Sequence, residues 1–152
     1  MNTCKVLLLS LLIGASVTGV GADSTDNTAI AGRWLTESGN FEIDIAPCGS
    51  SWCGAVARVL ANRSMSAPGQ SMPVKDTQSL IGTQILSELA ASGQGEWQGR
   101  IYNRENGKTY DCKVTAPTPQ QLKIRAYVFL PLFGKTQLWT RAPNTTTAGA
   151  NQ

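Results

Sequence analysis

Two cysteines with four residues between them, Cys48 and Cys53 in "APCGSSWCGAV", are the residues best placed for chemistry in this chain. Thiols so spaced could be a redox pair, half of a metal site, or a covalent clip on a loop. The redox motif has the tighter Cys-x-x-Cys spacing. A metal site needs further ligands, and the chain contains no histidine at all. That absence also removes Ser-His and Cys-His catalysis and histidine proton transfer. The carboxylates offer little more. Glu42 and Asp44 share the polar face of one strand pattern, where the charges are expected to face water, and neither they nor Glu96 and Glu105 have a spacing that demands chemistry. "GQGEWQG" is a turn followed by a strand and lacks the helix that a phosphate-binding loop requires. Enzymatic activity is not expected, and neither is a cofactor.

The choice for Cys48 and Cys53 depends on the compartment. The N-terminus "MNTCKVLLLSLLIGASVTGVGAD" runs from Lys5 through an apolar stretch to small residues ending at Ala22. This order is that of a secretory signal, cleaved after Ala22. The dense apolar run stops near Ile13, short of the about 20 residues that span a bilayer. Cys4 precedes that run, so it is not placed like a lipoprotein cysteine. No second apolar segment follows, and no membrane span is expected after cleavage. A periplasmic or secreted bacterial location is therefore expected, and oxidising conditions favour a Cys48–Cys53 disulfide that fixes one turn. Cys112, in "KTYDCKVT", alternates in step with Tyr110 and Val114 and reads as a buried, inert thiol.

The net charge of +3 becomes +2 once Lys5 is removed, too mild and too evenly spread to imply nucleic acid. The remaining 130 or so residues suffice for one domain, expected over 23–142, with a frayed tail at 143–152. Helical periodicity is scarce. "RWLTE", "FEIDIAP", "CGAVARVLA", "EWQGRIYNR", "TYDCKVTAP", "QLKIRAYVF" and "TQLWTRA" all alternate as strands. In the sixth of these, Leu122, Ile124, Ala126 and Val128 face one way. "LIGTQILSELAA" suits a helix or a strand equally well, and residues 62–79 read as a long surface connection. "ENGK" carries the Asn-Gly pair of a tight hairpin.

About eight sequential strands with short turns hide their edges most simply as an antiparallel up-and-down barrel, with a two-sheet sandwich as the runner-up. A closed barrel makes the first and last strands neighbours, which would let Arg141 stack on Trp34 near Gly32 and plug one end. Gly32, Trp34 and a late arginine resemble the structural signature of lipocalins and their calycin relatives.

The separated blocks "GRWLTESGNFEIDIAPCG…WCGAV", "IGTQIL", "W.G.IYNRENGKTYDCKV", "L.IRAYV" and "FGKTQLWTR" resemble a family of small exported bacterial proteins, domain of unknown function 2147, over Gly32 to Arg141. The resemblance implies a lipocalin-like barrel. The family's Cys-x4-Cys block falls on Cys48 and Cys53, and its Tyr-(Asn/Asp)-Pro-x-(Asn/Ser)-Gly-Lys-x-Tyr block falls on Tyr102, Asn103, Asn106, Gly107, Lys108 and Tyr110. Arg104 stands where that block has proline. The Asp-x-x-Asn-Pro stretch that commonly precedes the fourth strand is replaced by "VKDTQSLIG", with Asp76. Where that connection shapes the barrel mouth, ligand preference would differ from the relatives'.

An eight-stranded barrel either fills itself with side chains or holds one small ligand. The leading expectation is an exported, non-enzymatic binding protein for a small apolar ligand, with Trp97, Tyr102, Tyr110, Arg125 and Trp139 as candidate lining. The alternative is an envelope interaction or inhibitor module with a filled barrel, gripping a protein partner through Trp52 on the clipped turn or through residues 62–78. Equally, Trp52 could fold back to cover the barrel end.

Overall fold

In the computed structural model, which describes residues 28–73 and 79–143, eight antiparallel strands form one closed barrel in sequence order. They are β1 (Gly32–Leu35), β2 (Phe41–Cys48), β3 (Ser51–Val59), β4 (Gln84–Gly93), β5 (Glu96–Asn103), β6 (Lys108–Thr118), β7 (Gln121–Tyr127) and β8 (Lys135–Arg141). The expected signal segment 1–22, Asp76 and the tail beyond Pro143 lie outside the described residues. The ambiguous "LIGTQILSELAA" resolves as β4. Its alternation is interrupted by register shifts against β5, and Glu88 takes a positive φ of 55°. The bulge presses on β5 at Gly99, where an added Cβ would sit 2.6 Å from the Ser87 carbonyl oxygen, so only glycine fits there.

Closure depends on a short seam. β1 and β8 share two register pairs, Trp34 with Arg141 and Leu35 with Thr140. The Arg141 guanidinium compensates by bridging three segments. It lies 3.7 Å from the Trp34 ring centroid. Its Nη1 donates to the Ala31 carbonyl at 2.5 Å, and Nε and Nη2 donate to the Pro119 carbonyl at 3.3 and 3.2 Å. Gly32 is required beside it for two reasons. Its φ is +103°, and a Cβ would approach Arg141 Nη1 to 2.8 Å. Trp34 Nε1 in turn donates to the Ile30 carbonyl, tying the N-terminal turn across this end of the barrel.

The inward faces behave as alternation demands. Trp34, Ile43, Ile45, Val56, Leu89, Trp97, Val114, Leu122 and Ile124 form one buried cluster in the closed half. Each large apolar side chain so buried contributes about 1.5–3 kcal/mol. Cys112 belongs to the same cluster, and burial, followed by the nearby Asp111 charge, pushes its thiol up to about 12. It therefore stays protonated and unreactive at neutral pH.

On the outer face one expectation is corrected. Asp44 is half-exposed, but Glu42 is only 4% accessible. Arg33 and Arg58, from the flanking strands, converge on it at 3.8 and 3.1 Å, and their stems cover it. Arg33 also holds Asp44 at 2.7 Å, and that hydrogen bond keeps the Asp44 carboxyl below its ordinary value.

The Cys48–Cys53 pair is a disulfide with its Cα atoms 5.7 Å apart. Cys48 pairs with Ser51 and Cys53 with Ala46, so the bond runs diagonally across the β2–β3 hairpin. In the chain-entropy picture a loop this short contributes ~2 kcal/mol, so it shapes a turn more than it holds the fold. Two outcomes follow. Alkylation of the denatured protein should label two additional thiols only after reduction, and equal labelling without reductant would contradict the clip. Arg141→Met should lower unfolding free energy by about 2 kcal/mol, through loss of the ring contact and of partners for Ala31 and Pro119. A change below about 0.5 kcal/mol in denaturant titration would contradict its bridging role.

Candidate functional site

The other end of the barrel, its mouth, is bounded by the β1–β2 turn (36–40), the described parts of the β3–β4 connection (60–73 and 79–83), the β5–β6 turn (104–107) and the β7–β8 loop (128–134). Asn40 fixes the first two to each other and is itself fully buried. Its Nδ2 donates to the Arg63 carbonyl and its Oδ1 accepts from the Arg63 amide, both at 2.8 Å. Its own carbonyl accepts from the Leu60 and Ala61 amides. Glu105 then latches the connection to the β5–β6 turn. The Ser64 and Ser66 hydroxyls donate to its Oε1, and the Met65 amide donates to Oε2 at 3.2 Å. These hydroxyls hold the Glu105 carboxyl below its ordinary value, so the latch is charged at neutral pH.

Inside these loops lies a cavity of about 430 Å³. Phe41, Ile85, Ile101 and Trp139 are buried side chains that form its apolar floor. Tyr110 and Ala126 line its wall, and the exposed Met65, Val128 and Phe133 stand at its rim. None of the closed-half cluster from Ile43 to Ile124 reaches it except through this floor. The barrel is thus filled at one end and hollow at the other. Several polar side chains of the lining are committed to one another or to a neighbour. Asn106 Nδ2 donates to Tyr110 Oη at 2.8 Å, and Trp139 Nε1 donates to Gln137 Oε1 at 3.0 Å.

Arg104 is the exception. It lines the cavity and is 4% accessible, yet its Nε and Nη1 have no hydrogen-bond partner among the described residues. Nor does it enter an ion pair there. Its guanidinium lies over the Phe41 ring, 5.7 Å from the centroid. Removing such an ion from water costs several kcal/mol even after relaxation, whereas a shielded cation–π contact recovers about 2 kcal/mol. The guanidinium is left in deficit. Sequence reading noted Arg104 only as a departure from a proline, because nothing local shows that the folded loops will bury it.

The expected lining residues divide. Tyr102, Tyr110 and Trp139 line the cavity. Trp97 does not, because it pairs with Val114 in the filled half. Arg125 does not either. It alternates with the inward Ile124 and Ala126, so its guanidinium lies outside the barrel. There it donates to the carbonyls of Pro131 and Leu132 and to Thr136 Oγ1, bracing the β7–β8 loop. Trp52 is half-buried and packs against the core cluster rather than standing free at the turn tip.

The β7–β8 loop corrects a further expectation. β7 ends at Tyr127, and Val128 leaves the inward face and becomes exposed. Phe129 adopts a φ of +65°, in the left-handed region that a bulky side chain avoids, and is 92% accessible. A 3-10 turn over Pro131–Phe133 follows, with Leu130, Leu132 and Phe133 also exposed. Among the described residues no group of three His, Cys, Asp or Glu side chains could hold a metal, and no helix is long and apolar enough to cross a membrane.

No curated protein matches the chain. Its fold is similar to the solved structure of protein HP1028 from the human pathogen Helicobacter pylori, described as belonging to the lipocalin family. That likeness has a TM-score of 0.57 at 19% identity and covers 75% of this chain and 83% of that one. It supports the lipocalin-like barrel and says nothing of the ligand. The sequence matches a family described as uncharacterized protein conserved in bacteria over residues 32–141, the whole span from the glycine beside Arg141 to Arg141 itself, and the chain belongs to this DUF2147 family.

Proposed function

We propose that the protein is an exported, non-enzymatic binding protein that holds a small, largely apolar molecule in the mouth half of its barrel. The observation that carries this reading is the 430 Å³ cavity over an apolar floor, within the roughly 300–1,000 Å³ usual for small-molecule sites. A barrel that merely packed itself would continue the tryptophan and aliphatic filling upward. Export is supported by the disulfide, which persists in oxidising compartments, and by the signal-like order of residues 1–22.

A second reading is favoured by the β7–β8 loop. Five large apolar side chains are exposed between Val128 and Phe133, and monomeric proteins rarely leave such a patch uncovered. This loop, rather than Trp52, is the better surface for an envelope protein partner, because Trp52 is already engaged with the core.

Native mass spectrometry of protein purified from the periplasm should show a retained small molecule. The Ala126→Trp variant, which fills the cavity, should lower affinity for an apolar fluorescent dye at least about tenfold with circular dichroism unchanged. A bare-chain mass together with undiminished dye binding by the variant would contradict the cavity as the site. For the second reading, Phe129→Ser combined with Leu132→Ser should abolish cross-linking to an envelope protein while dye binding survives. Cross-linking that persists would remove the loop as the docking surface.

A further inference from the structure

The cavity offers an apolar floor and one buried cation whose donors are unspent. Among the described residues Arg104 Nε and Nη1 lack hydrogen-bond partners, and the guanidinium lies over the ring of Phe41, itself part of the floor. The charge therefore sits at the edge of the apolar surface, inside the cavity's lining. Resting on the binding reading above, we infer that the ligand is an amphiphile with an acidic head, a carboxylate or phosphate, seated on the Arg104 guanidinium.

The charges around the site agree with this polarity. Lys135 also lines the cavity. Glu105, the acidic lining residue, directs its carboxylate to the Ser64 and Ser66 hydroxyls and to the Met65 amide, so it does not neutralise Arg104. Tyr110 Oη accepts from Asn106, which leaves its own O–H able to donate toward a bound anion. Guanidinium N–H groups hydrogen-bond a carboxylate or phosphate with charge on both sides, which strengthens each bond. A neutral apolar molecule would do the reverse. It would leave Nε and Nη1 buried without hydrogen-bond partners, so the desolvation of the ion would stay uncompensated. The site thus discriminates by head group, while the floor of Phe41, Ile85, Ile101 and Trp139 receives the apolar body.

Titration calorimetry of the signal-cleaved, disulfide-bonded protein with decanoate, decyl phosphate and 1-decanol separates the outcomes. At least one of the two acidic probes should bind roughly 10- to 100-fold more tightly than decanol, and the tighter of the two identifies the head group. Arg104→Met should reduce acid binding to the decanol level while leaving decanol within about threefold, and Arg104→Lys should restore part of the preference. The wild-type comparison alone is decisive should the variants fail to fold. Acid and alcohol binding equally to the wild type, or an acid preference that survives in Arg104→Met, would overturn the assignment of the head group while leaving the cavity as a binding site. Failure of all three probes to bind would overturn both.

Discussion

The guanidinium of Arg141 stacked on Trp34 is the contact on which the rest of the barrel depends. The last strand meets the first over only two register pairs, too few for backbone hydrogen bonding alone to hold the seam firmly. Arg141 adds a ring contact and hydrogen bonds to Ala31 and Pro119, joining three segments far apart in sequence. Gly32 exists to let it approach. With this end sealed by Trp34 and Ile30, any opening into the interior has to lie at the opposite end.

That asymmetry divides the interior by side-chain volume. Below, Trp34, Trp97 and the aliphatic residues of β2, β3, β6 and β7 occupy the lumen fully. Above the floor of Phe41, Ile85, Ile101 and Trp139, the inward position on β7 is the small Ala126, and the described loops frame the gap without filling it. Eight strands set the diameter near the limit at which either outcome is possible. The choice is made locally, layer by layer, so filling and binding coexist in one barrel. The loops that frame the cavity are positioned by polar residues, Asn40 and Glu105, whose partners lie in distant connections. The mouth therefore has a defined shape even though it is built from loops.

The strands, the closing pair and the disulfide were legible in the sequence because each is written in local alternation or in a spaced pair of distinctive residues. β4 was ambiguous because its bulges, one with Glu88 at positive φ, break the alternation that identifies a strand. Val128 and Phe129 extended the pattern of β7 faultlessly, yet the chain turns outward there, and no rule of alternation marks where a strand stops. Glu42 looked solvated because the two arginines that cover it come from other strands. Arg125 and Trp97 were placed in the lining from residue type alone, and strand phase and depth along the barrel put them elsewhere. Arg104 stood out as a departure from a pattern, and its burial emerged only once the mouth loops were assembled around it.

The account turns on where an apolar guest sits. Nuclear Overhauser contacts between a bound apolar probe and the assigned side chains of the protein measure this directly. Contacts to Trp139, Ile85 and Ile101, with none to Trp97, are the predicted result. Contacts confined to Phe129 and Leu132 on the outer loop, or to Trp52 at the closed end, would contradict it.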